Sequence, residues 1–145
     1  MDDKQILLAF VTICIIFIII VGIIYGAKNY ELNLPELGDI ESITLESTNK
    51  KIYTDETNKK DILTTLNGKG RSTKEQSIQD SPVEATNEIK IDFILKQNLT
   101  STLYVYMKNN KYYIEQPYNG IYKISRDEYN SINSYLVNED EDYEK

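Results

Sequence analysis

Residues 89–124 read IKIDFILKQNLTSTLYVYMKNNKYYIEQPYNGIYKI, and this run decides the fold. Ile89, Ile91, Phe93 and Leu95 alternate with Lys90, Asp92 and Lys96, the period of two of a strand with one buried face. Ile94 breaks the alternation, so the second face is expected to be partly covered. After a turn at Leu99–Ser101, Leu103, Val105 and Met107 alternate with Tyr104 and Tyr106. Asn109-Asn110 is a tight-turn dipeptide, because asparagine tolerates positive φ. Lys111–Gln116 returns as a third strand. Asn119-Gly120 is a second hairpin signal, and Ile121–Ile124 follows as a fourth strand.

Upstream, Ile43 and Leu45 alternate with polar residues across 39–47. A turn at Thr48-Asn49-Lys50 leads to a short strand at 51–54. Asp55 or Thr57 caps a helix to about Asn67 with Ile62, Leu63 and Leu66 on one face, and Gly68 suits its end. The stretch 69–87 is polar, contains Gly70 and Pro82, and is read as irregular. Downstream, Ser125 and Glu128 have capping-box spacing, and Tyr129, Ile132 and Leu136 share a helical face. The predicted order is ββα-ββββ-α. This is an α+β domain, a mostly antiparallel sheet with two helices on one face, spanning 37–137. About a hundred residues bury one core.

The N-terminal region follows different rules. Ile6 to Gly26 is 21 residues without a charge. As a helix it extends about 31 Å, close to a bilayer's hydrocarbon core. Lys4 and Lys28 bracket it, with Tyr25 and Tyr30 at interfacial positions. A signal peptidase site needs small residues before the cut. Cleavage after Gly26 or Ala27 puts Ile24 or Tyr25 three back. Cys14 follows Ile13 in mid-run, which does not fit a lipoprotein signal. Residues 1–28 are therefore read as a retained single-pass anchor with a short cytoplasmic N-terminus, and 29–36 as a linker. Gly22 and Gly26, four apart, are a small-residue pair that suits packing against another helix. The domain is expected on the extracytoplasmic side of the cell membrane.

Composition narrows the chemistry. The chain has no histidine, and Cys14 is its only cysteine. That removes a His/Cys zinc site, a Cys–His pair, a Ser–His–Asp triad and a disulfide in the domain. The net charge is −7, with no patch of Lys and Arg in sequence of the kind nucleic acid demands. The tail 138–145 is acidic and is expected to be disordered. It lacks the pattern of an EF-hand loop. No metal and no cofactor are expected.

The run Lys111-Tyr112-Tyr113-Ile114-Glu115-Gln116-Pro117-Tyr118, then Gly120-Ile121-Tyr122, resembles the signature of a family of small domains of unknown function in low-GC Gram-positive bacteria. The resemblance extends back through Ile89–Phe93 and Ser77–Pro82 and forward to Tyr129. It implies a membrane-anchored or lipoprotein-like envelope domain and supplies no activity.

Two sets of residues are candidates for binding. The first is the aromatic turn Gln116, Pro117, Tyr118, Asn119, Gly120 and Tyr122. The second is the face displaying Tyr104 and Tyr106 with Tyr113. Tyrosines offer flat apolar faces and a hydroxyl, suited to gripping peptides or sugars. The same tyrosines also serve simply to pack a sheet. Lys69, Arg71 and Lys74 bring local positive charge, but 68–74 lacks phosphate-loop spacing. The leading expectation is a non-enzymatic module that binds another membrane or envelope protein, a peptide or a cell-wall component. The alternative is a small cell-envelope hydrolase using a Ser/Lys pair or carboxylates such as Asp92, Glu115, Asp127 and Glu128.

Overall fold

The computed structural model describes residues 2–26 and 30–137. Helix α1 runs Asp3–Gly26 and is long and apolar enough to cross a membrane; no part of its apolar window is buried by the rest of the protein. Gly22 has no protein atom within 4 Å of where a Cβ would sit. The side chain of Tyr25, the surroundings of Gly26, Lys28 and the tail from 138 lie outside the described residues.

The remainder is α+β. Strands β1 (Ile40–Glu46), β2 (Lys50–Tyr53), β3 (Arg71–Gln76), β4 (Thr86–Leu95), β5 (Thr100–Lys108), β6 (Lys111–Glu115) and β7 (Gly120–Ile124) form one sheet in the order β2-β1-β4-β5-β6-β7-β3. Every neighbouring pair is antiparallel. Helix α2 (Glu56–Leu66) follows β2 and α3 (Arg126–Asn133) follows β7.

Both helices pack on one face. Ile62 and Leu66 of α2, Tyr129 and Ile132 of α3, and Leu136 join Ile43, Leu45, Ile91, Phe93, Leu103, Val105 and Ile114 in a single core. The caps are as read: Asp55 accepts from the Asn58 N–H, and Ser125 and Glu128 form a complete capping box. Thr57 lies inside α2. The one buried cation among the described residues, Lys59, donates from Nζ to the Ile40 carbonyl at 2.9 Å. This satisfies a charge whose burial is otherwise costly.

Two expectations are corrected. The stretch 69–87 is not irregular throughout, because Arg71–Gln76 forms β3 and β4 begins at Thr86. The sequence of β3, RSTKEQ, has no apolar alternation. It is an edge strand held by backbone pairing to β7 and broken by a register shift where Lys74 adopts φ 65°. The β4–β5 turn also lies earlier than 99–101, with β5 starting at Thr100.

The strand order has a consequence for the other face. β3 sits beyond β7, whereas β4 sits between β1 and β5. The connection 77–85 must therefore cross β7, β6 and β5, and it does so opposite the helices. Ser77 Oγ donates to Glu115 at 2.6 Å, Tyr118 bonds Asp80, and Lys108 bonds the Val83 carbonyl at 3.1 Å. The second face is thus covered in part, over β5, β6 and β7; Ile94, on β4, lies outside the strands crossed.

Candidate functional site

Tyr104 and Tyr106 lie on the face away from the helices, as expected, but they are not an exposed platform. They are 8% and 4% exposed. Tyr106 Oη donates to Glu115 Oε2 at 2.9 Å, and its ring stacks on Tyr113 at 5.7 Å. Burial, then the bond to Glu115, pushes the Tyr106 phenol well above its ordinary range. Glu115 is 5% exposed, with its two oxygens taken by Ser77 and Tyr106.

Tyr122 faces the helix-side core and is 2% exposed. Its hydroxyl has no hydrogen-bond partner among the described residues. It therefore belongs to the packing and not to any outward surface.

The second hairpin turn is built from Gln116–Asn119, two residues before the Asn119-Gly120 expectation. The Asn119 N–H donates to the Gln116 carbonyl at 3.0 Å. Pro117 occupies the first central position and Tyr118, at φ 61°, the second, the pattern of a type II turn. That second position ordinarily takes glycine. Tyr118 instead carries the backbone strain and projects its ring into solvent at 64% exposure.

Three residues of the aromatic turn perform a different task. The Asn33 N–H donates to Gln116 Oε1 at 2.9 Å, and Gln116 Nε2 donates to the Asn33 carbonyl at 2.8 Å. Asn119 Nδ2 donates to the Glu31 carbonyl at 2.8 Å and to Gln116 Oε1 at 2.6 Å. Gly120 lies beneath Tyr30; a Cβ there would stand 2.5 Å from Tyr30 Cβ. Tyr30, Leu32 and Leu34 pack against the core. The segment read as a linker is thus a strap bound to the domain.

An open groove of about 440 Å³ runs beside this turn. Tyr104, Gln116, Pro117 and Tyr118 form one wall, and Asp80, Lys90, Thr100, Ser101 and Thr102 complete it. Leu99 and Ile78 are exposed close by, Ile78 next to Ser77, whose N–H donates to the Asn119 carbonyl. The groove therefore combines hydroxyls, an amide and one residue of each charge with an aromatic rim. Sequence reasoning missed Asp80 and the 100–102 wall, which carry no pattern of their own.

The hydrolase candidates are otherwise engaged. Asp92 pairs with Lys90 at 2.8 Å and accepts from Thr102 at 2.7 Å. Asp127 and Glu128 lie in the first turn of α3. Burial, and then the neighbouring Glu115, raise the Glu88 carboxyl above its ordinary value, yet neither glutamate lines any cavity described for this protein. Among the described residues no three acids, histidines or cysteines converge as metal ligands.

Comparison with known proteins finds a family model and a solved structure that match this chain. The DUF5301 family, described as a domain of unknown function (DUF5300), matches residues 28–123. The NMR structure of a protein from Ruminococcus gnavus is 34% identical and aligns over 69% of this chain and 99% of that one, with a TM-score of 0.56. No curated protein matches. The family match covers well over half of the chain and starts just after the apolar helix, so the chain belongs to the DUF5301 family of domains of unknown function.

Proposed function

We propose that this protein is a single-pass membrane protein whose extracytoplasmic domain is a non-enzymatic binding module. It grips a segment of a neighbouring membrane or envelope protein, or a wall fragment, in the groove beside Tyr118. The observation that carries this reading is the Tyr118 side chain, held at a strained backbone position and presented to solvent on the groove wall. Strain of this kind gathers at binding sites, and a ring fixed by Pro117 loses little entropy when it is covered.

Anchoring is supported by the length and apolarity of α1 and by the strap. Tyr30 is the fourth residue after Gly26, a step of at most about 14 Å of chain. Because Gln116 and Asn119 bind the strap, the groove is tied near the end of α1. A partner in the same membrane then meets the groove at high effective concentration. The Lys111–Tyr122 signature fits the same placement in the cell envelope of low-GC Gram-positive bacteria.

The test is capture from native membranes with the full chain as bait, against Tyr118→Ala. Loss of a specific protein or glycan partner in the variant supports the reading. Identical capture by both chains overturns it.

A further inference from the structure

The end of the sheet opposite the strap is cationic. Two cavities, of about 340 and 680 Å³, share Lys123 and Ile124. Arg71 lines the first; Lys111 and Arg126 line the second. All four cations are exposed, and among the described residues none has a carboxylate within 4 Å. The protein as a whole carries a net charge of −7, so this cluster runs against its average.

Arg71 and Lys123 are direct cross-strand partners of β3 and β7. Like charges placed opposite each other destabilise a sheet. Glu128 is the one acid lining the cavities, and its Oε2 is occupied by the Ser125 N–H at 2.7 Å. Among the described residues, then, no carboxylate pairs directly with Arg71 or Lys123, and an added anion would relieve their repulsion.

We infer that the joined cavities along Arg71, Lys123, Lys111 and Arg126 are a binding track for a phosphate-bearing anionic polymer. Two guanidinium forks match phosphate oxygens in pairs, and two ammonium groups add point charge. Two cavities meeting at Lys123 suit repeated anionic groups better than one ion. The track does not depend on the groove at Tyr118, which lies at the other end of β6 and β7.

The test uses the full chain in nanodiscs of zwitterionic lipid, titrated with short-chain inorganic polyphosphate at low and high salt. Binding is expected at low salt and weakens as salt screens it. Arg71→Gln/Lys123→Gln and Lys111→Gln/Arg126→Gln should each weaken it by about tenfold or more. Lys50→Gln/Lys51→Gln, on the far edge strand, should leave it unchanged, and circular dichroism checks that each variant is folded. The inference is overturned if wild type does not bind, or if folded track variants bind as wild type does. It is also overturned if the chain binds added vesicles of anionic phospholipid but not polyphosphate, which would make the track a lipid contact.

Discussion

The side chain of Gln116 holds the backbone of Asn33 at two points, accepting from its N–H at 2.9 Å and donating to its carbonyl at 2.8 Å. One amide thereby completes a ladder step that a strand would otherwise supply, and it fixes the strap across 83 residues of sequence. Gln116→Ala removes both bonds from a mostly buried site and should cost about 1–3 kcal/mol. Amide hydrogen exchange at Asn33 should rise before any global loss of structure. Unchanged protection at Asn33 would show that the strap is held by Tyr30, Leu32, Leu34 and the Asn119 bond to Glu31 without help from Gln116.

Tyr118→Gly separates binding from folding. Glycine accepts φ 61° without penalty, so the variant should be at least as stable as wild type. It should nevertheless lose the partner. Thermal unfolding and membrane capture, measured on the same variant, check both halves.

Gly120→Ala should loosen the strap from the opposite side. The new methyl meets the Cβ of Tyr30 and, at 3.0 Å, the Tyr122 hydroxyl. Neither a backbone-linked carbon nor a buried ring yields easily, so a loss of about 1–3 kcal/mol is expected. A chemical-denaturation midpoint reports it, and no loss would contradict the close packing.

Buried tyrosines set the alkaline limit. The Tyr106 phenol is raised by burial and by its bond to Glu115. A raised folded value means that stability is present below the unfolded phenol value of about 10 and is lost as pH climbs above it. Tyr104, Tyr122 and Tyr129 are raised in the same direction by burial. Urea midpoints should therefore fall between about pH 9 and 11, and Tyr106→Phe should make that fall shallower.

Glu88 gives the opposite test in acid. Its carboxyl is raised by burial and by Glu115, so the folded state prefers it protonated. That preference stabilises at low pH and is lost as pH rises through the ordinary glutamate range of about 4–5. Glu88→Gln should then be more stable than wild type at pH 7, with the advantage vanishing below about pH 4. An equal advantage at both pH values would place its cause outside titration.

Much of the frame was legible because local chemistry and tertiary packing agree there. Ile89, Ile91, Phe93, Leu103 and Val105 alternate in sequence and are fully buried. Asn109 and Asn110 take the positive φ their dipeptide invites. Ser125 and Glu128 cap α3 as spaced. What was not legible depends on strand order. β3 has no hydrophobic pattern, so its place beyond β7 is invisible locally. From that place follow the crossing of 77–85 and the burial of Tyr104 and Tyr106. The turn at Pro117-Tyr118 was missed because a tyrosine occupies a position that ordinarily takes glycine. Gln116 and Asn119 were read as binding residues of the aromatic turn; the strap occupies both side chains, a contact between residues more than eighty apart that local sequence does not show.

The central claim is that Tyr118 faces a partner at the membrane surface. A photoreactive side chain installed in place of Tyr118 in the full chain, and separately in place of exposed Ile52 on the edge strand β2, tests it most directly in living membranes. The account predicts a discrete crosslinked species from position 118 and none from position 52. No crosslink at 118, or the same pattern from both positions, would contradict it.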